Sequence, residues 1–276
     1  MDLKKLKDIP SWEWPDNAGE IILGVLRNRD AEEYDRLLAA ELAGDMTVID
    51  DKLADTLLSV AKNSNEPEEL RTRAVISLGP VLEYTYDEID DPQDLAISTD
   101  MFKKIQTSLH KLYKDSSVPK EVRRRTLEAS VRAPEDWHSE AVDEAYQDND
   151  EEWKLTAVFC MGYIGGFEDK IIEALDSRNE DIYYEAIRAA GDWGLEEAWP
   201  EIESVLTRRE SDKALLLAAI DASVCIRPEE AAQILSELTY DEDEDIAEAA
   251  QEAIAMSGVM IDDDFDDDDD GGKTIH

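Results

Sequence analysis

The sequence predicts an all-α chain, a right-handed α-solenoid (α-α superhelix) built from stacked helix pairs. Three observations point there. Apolar residues recur at helical spacing and show no strand-like alternation. Glycine and proline are sparse, 12 and 9 in 276 residues, while 42% hydrophobic content is enough to fill a core. Above all, one template returns along the chain.

Six segments carry that template: ELRTRAVISLG (69–79), EVRRRTLEASV (121–131), EWKLTAVFCMG (152–162), DIYYEAIRAAG (181–191), ALLLAAIDASV (214–224) and DIAEAAQEAIA (245–255). Position 2 is always apolar: Leu70, Val122, Trp153, Ile182, Leu215, Ile246. Position 6 is small, as in Ala74, Thr126, Ala157, Ala186, Ala219 and Ala250. Position 9 is small again: Ser77, Ala129, Cys160, Ala189, Ala222, Ala253. Steps of four and three residues fall on one helical face. Small side chains there let neighbouring helices approach closely. The position 6 column advances by 52, 31, 29, 33 and 31 residues. A step near 31 is the period of a helix-pair solenoid.

In chain order, NAGEIILGVLRNRD and EEYDRLLAAELAGD read as two helices, and DDKLADTLLSVAKN (50–63) as the partner of the first template copy. The 52-residue step holds YTYDEIDDPQDLAISTD (84–100), acidic and proline-interrupted, read as an inserted loop. MFKKIQTSLHKLYK follows as an amphipathic helix. EDKIIEALD (168–176), AWPEIESVLT (198–207) and PEEAAQILSEL (228–238) supply the later partner helices. Pro119 and Pro228 suit a first helical turn. The expected organisation is a helical cap over 1–63, the repeat solenoid over 64–260 with an acidic insertion at about 84–100, and a disordered acidic tail over 261–276.

Acidic lead-in, basic third position, alanine-rich centre and closing glycine, as in EELRTRAVISLG, resemble the HEAT-like repeats of the armadillo-like helical class, in particular the short repeats of phycobilin lyases and related scaffolds. The resemblance covers about residues 67–258. Its third-position basic residue matches at Arg71, Arg123 and Lys154 and is replaced at Tyr183, Leu216 and Ala247. It implies the fold, and for function it implies an adaptor or chaperone more often than an enzyme.

Charge narrows the partners. Asp plus Glu number 69 against 28 Lys plus Arg, a net charge of −41. The tail IDDDFDDDDD accounts for only part of this. Such a field repels nucleic acid and anionic lipid and favours a monomer. Either a high-salt habitat or a basic partner explains it. No apolar run approaches the roughly 20 residues of a membrane span, and MDLKKLKDIPSWEWP lacks the apolar core of a secretory signal, so a cytoplasmic protein is expected. Cys160 and Cys225 lie in apolar helical patterns and read as two buried, reduced thiols.

Catalytic chemistry finds little support. The histidines are His110, His138 and His276, none at metal-ligand spacing, and no Walker loop, GxGxxG, GxSxG or CxxC occurs. The His-Glu pairs of helical-repeat di-iron hydroxylases are absent, and the charge opposes the cationic groove of a helical-repeat glycosylase. Asp266, Asp268, Asp270 and Gly271 match the first half of a calcium loop, but its closing Glu would fall at position 277, so no such loop is expected. No catalytic residue, metal or cofactor is assigned.

Two surfaces remain as candidates. One is a basic stripe, Lys103, Lys104, Lys111 and Lys114 with Arg124 and Arg125, suited to an acidic segment. The other is apolar. Leu155, Phe159, Tyr184 and Leu217 lie opposite the small-residue column, where they either pack against outer helices or line a groove for a partner peptide. Trp153 takes a core position, whereas Trp12, Trp14, Trp137, Trp193 and Trp199 sit at helix ends or in loops. The expected function is a non-catalytic protein-binding scaffold or adaptor using the concave face, with a protein or peptide partner that is basic in one reading. The alternatives are a bilin lyase-like or chaperone-like subunit, or an acidic mimic that binds a basic protein.

Overall fold

A computed structural model describes residues 3–88, 95–208 and 212–265. Among these residues helices are the only regular structure. The chain divides into two compact units, Met1–Asp148 and Asn149–His276.

In the first unit the helices are α1 (Leu3–Lys7), α2 (Ala18–Arg27), α3 (Glu33–Leu42), α4 (Asp51–Lys62), α5 (Glu68–Ile76), α6 (Gly79–Asp87), α7 (Thr99–Lys114), α8 (Lys120–Ser130) and α9 (Trp137–Gln147). They form two layers. The inner helices α3, α5 and α8 pack side by side, and the outer helices α2, α4 and α7 each pair with the inner helix that follows. Leu57, Leu70, Ile105 and Val122 are fully buried at the seam; each such aliphatic side chain contributes about 1.5–3 kcal/mol. The inner layer therefore already includes α3, which the sequence template did not reach. Of the stretch 84–100 expected as a loop, Tyr84–Asp87 closes α6, Thr99 and Asp100 open α7, and 89–94 lie outside the described residues.

A recurring arginine explains the pairing. Arg36 donates to the carbonyl of Leu26 at 3.2 Å, Arg71 to that of Ala61 at 2.9 Å and Arg123 to that of Tyr113 at 2.8 Å. Each acceptor lies ten residues earlier, in the last turn of the preceding outer helix. The last four carbonyls of a helix have no partner of their own, and a guanidinium there also meets the negative end of the helix dipole. The basic residue at template position 3 is thus a clamp between layers, and Arg36 carries it into α3.

The second unit holds α10 (Glu151–Met161), α11 (Glu168–Ala174), α12 (Glu180–Asp192), α13 (Trp199–Thr207), α14 (Lys213–Ile226), α15 (Pro228–Leu238) and α16 (Glu244–Phe265). Side chains of Asp150, Asn179 and Asp212 accept hydrogen bonds from the first backbone N–H groups of α10, α12 and α14. The inner helices α10, α12, α14 and α16 stack in order, with α11, α13 and α15 behind the last three. Positions 6 and 9 sit in the seam as expected; Ala157, Ala186, Ala219 and Ala250 are fully buried. Glycine closes the template because the next helix is too near for a side chain. A Cβ on Gly44 would stand 2.4 Å from the Ser77 carbonyl oxygen, and one on Gly191 would stand 2.7 Å from Ala222 Cα. In both cases the glycine faces position 9 of the following inner helix. The fold is the expected all-α arrangement of stacked helix pairs. The acidic tail expected over 261–276 falls beyond the described residues from 266 onward, with the half-matched calcium loop.

Candidate protein-binding face

In the second unit α12 and α14 each have an outer helix on one side and inner helices on two others, which leaves one free face; α10 and α16, at the two ends of the row, have one inner neighbour each in the unit. Helical geometry places template positions 4 and 8, and the following position 12, on that face. On α10 these are Leu155 and Phe159, with Tyr163 in the turn that follows; on α12, Tyr184, Arg188 and Asp192; on α14, Leu217, Asp221 and Cys225; on α16, Glu248, Glu252 and Met256. Each is at least partly exposed. Leu155, Phe159, Tyr184 and Leu217 are partly buried and partly accessible. Phe159 stacks obliquely on Tyr163 with ring centroids 5.4 Å apart.

Charge is graded across this face. The α10 end is aliphatic and aromatic, and acids gather toward α14 and α16. Arg188 pairs with Glu185 of its own helix at 3.3 Å. Asp192 and Asp221 are exposed, yet both carboxyls are held above the usual carboxylate range, first by loss of surrounding water and against the pull of Arg188; Glu252 adds repulsion at Asp221. Cys225 corrects an expectation: it is exposed, whereas Cys160 is buried. Position 12 faces outward and position 9 faces the seam, a distinction that an apolar pattern around both thiols does not reveal. Burial, then Asp192 and Asp221, push the Cys225 thiol up.

The basic stripe is narrower than the sequence implied. Lys103, Lys104, Lys111 and Lys114 are exposed on α7, in the outer layer of the first unit, and Lys104 pairs with Asp55 at 2.6 Å. Arg124 is 3% exposed and contacts Glu121 at 2.6 Å, so it is not a surface cation. Arg125 bonds Glu121 at 2.9 Å and Glu128 at 2.6 Å, and those carboxylates raise its pKa against burial. Adjacent acids on one helical face satisfy both guanidiniums, which leaves the α7 lysines alone as a stripe.

A third arrangement, missed in the sequence, centres on His138. Its Nδ1 lies 2.9 Å from the Glu135 backbone N and 3.2 Å from the Glu135 carbonyl oxygen, and its Nε2 lies 3.0 Å from Ser130 Oγ. Burial lowers its pKa to about 4, against the contact of the ring with the Glu135 carbonyl oxygen, which favours the protonated form, and with some repulsion from His110. Trp137 stacks on His110 at 4.5 Å, fastening α9 to α7. A buried, bonded, neutral imidazole with no opening toward it is a structural group. Among the described residues no cluster of His, Cys, Asp or Glu is arranged to hold a metal ion, and no helix is long and apolar enough to cross a membrane.

A family model for HEAT repeats matches residues 168–255. No match is found among curated proteins. Solved structures that align with this chain include Escherichia coli YibA (16% identity, 92% of this chain and 90% of that one, TM-score 0.46). Human deoxyhypusine hydroxylase in complex with glycerol aligns at 16% identity over 93% of this chain and 88% of that one, with a TM-score of 0.41. The complex of CpcE and CpcF of phycocyanin lyase from Nostoc sp. PCC7120 aligns at 14% identity over 91% and 98%, with a TM-score of 0.45. The HEAT-like repeat read from the template is therefore met by the family model over α11 to α15 and the first turns of α16.

Proposed function

We propose that the chain is a non-catalytic protein-binding scaffold that seats its partner on the free face of α10, α12, α14 and α16. One observation carries this reading: Leu155, Phe159, Tyr184 and Leu217 each keep part of their apolar surface accessible in successive inner helices. An apolar row rimmed by charge is how protein-binding surfaces are composed. Apolar side chains held outward in register raise the cost of solvation unless a partner covers them. An extended face of this kind suits a protein segment better than a small molecule, which needs a deep enclosed pocket.

A photo-crosslinking residue at position 184 of the full chain, expressed in its own cells, tests the proposal. The expected result is one defined protein adduct that disappears when Phe159 and Leu217 are changed to serine. The same probe at Tyr240, on the exposed turn after α15, gives no such adduct. Identical adducts at both positions, or none at 184, overturn the reading.

A further inference from the structure

We infer that the segment seated on this face is amphipathic and cationic, with an apolar anchor over α10 and α12 and a lysine or arginine lodged between α12, α14 and α16. The inference rests on the protein-binding reading above and assigns the chemistry of the partner. It follows from the grading of one surface. At the α10 end a ligand meets Leu155 and Phe159, which offer only apolar contact. At the other end it meets Asp192, Asp221, Glu248 and Glu252, while the nearby Arg188 is already engaged by Glu185.

What separates Asp192 and Asp221 from the general acidity of the chain is their surroundings, beside the apolar row on one face. Some carboxylates, such as Asp55, Glu41 and Asp243, are matched by Lys104, Arg73 and Lys213, but at a net charge of −41 many are not. Neither Asp192 nor Asp221 has an ion-pair partner of that kind among the described residues, although both are poorly hydrated. The Asp192 carboxylate also leans over the preceding helix, with its Oδ2 2.8 Å from where a Cβ of Gly162 would be. Gly162 thus leaves room for an acid directed along the face. A ligand cation would restore favourable interactions to carboxylates that have lost part of their water. An anionic ligand would be repelled, and an uncharged apolar one would leave them as they are. Charge complementarity therefore selects one occupant, a protein segment with an apolar stripe and a basic end.

Fluorescence anisotropy of the full chain with four labelled 20-residue peptides tests this: a leucine stripe with an arginine end, the same stripe with a glutamate end, the same stripe with a glutamine end, and an arginine-only peptide. The stripe with arginines is expected to bind at least about tenfold more tightly than each of the others. D192N/D221N should weaken that binding about tenfold, whereas D169N/E229Q, which removes equal charge from the outer helices, should change it less than about twofold. Thermal melts confirm that both variants fold. Equal binding of the glutamate or glutamine peptide overturns the inference. So does equal sensitivity to the two double variants, which would mean general attraction to an acidic protein. If position 184 still crosslinks a partner in cells after such an outcome, the scaffold reading stands and only the cationic assignment falls.

Discussion

At Gly191 a single methyl group would meet the backbone of the next helix, with Cβ 2.7 Å from Ala222 Cα. Two helices would have to move apart, so Gly191→Ala is expected to cost about 1–3 kcal/mol in chemical denaturation. Gly24, on the exposed side of α2, has nothing within 4 Å of its own Cβ position. Gly24→Ala should be neutral or stabilise by about 0.5–1 kcal/mol, because alanine loses less backbone entropy. Equal effects at the two sites would contradict the seam geometry. His138 gives a pH signature. Its folded pKa of about 4 lies below the ordinary value of 6.5, so the unfolded chain binds the extra proton. Stability from the neutral imidazole is complete above pH 6.5 and drains away as pH falls toward 4, by up to about 3 kcal/mol. His138→Gln should flatten that part of the stability–pH curve in urea titrations; an unchanged slope would mean that the ring is not held neutral.

Between elements, the arginine clamps are the specific joints of the first unit. Arg71→Met leaves the Ala61 carbonyl without its donor and is expected to destabilise by about 1–3 kcal/mol. Arg36→Met is expected to cost more, about 2–4 kcal/mol, because it also takes from the nearly buried Glu66 its closest cation and leaves it only the exposed Arg29 at 4.0 Å. The Arg36 hydrogen bond is the main cause holding Glu66 below the usual carboxylate range. That contribution is present above the unfolded pKa and is lost in acid, so the penalty of Arg36→Met should shrink as pH drops below about 4. A penalty independent of pH would show that packing, not charge, sets it.

These joints also show what the sequence discloses. The seam was legible because alanine at positions 6 and 9 repeats at a fixed spacing, and that spacing alone fixes a helical face. The clamp was not, since nothing in a linear pattern says that a position 3 arginine reaches a carbonyl ten residues back. The signal available was Arg36 with Ala39 and Gly44, a copy of the template that its polar position 2, Asp35, concealed. Arg124 misled for a related reason. A run of three arginines reads as surface charge until the placement of Glu121 and Glu128 is known.

Taken whole, the molecule combines a strongly acidic exterior with one graded face that keeps aromatic and aliphatic side chains outward. The proposed binding face was half-legible: Leu155, Phe159, Tyr184 and Leu217 could be placed on one side of their helices, but which side the outer helices cover depends on tertiary packing. The account therefore turns on register, position 9 facing the seam and position 12 facing outward on the proposed binding face. The two cysteines are natural probes of those positions. Alkylation of the native full chain, followed by mass spectrometry, is expected to modify Cys225 about tenfold faster than Cys160 or more, and to slow at Cys225 when the position 184 partner is bound. Faster modification of Cys160, or a Cys225 rate indifferent to the partner, would contradict the assignment of this face.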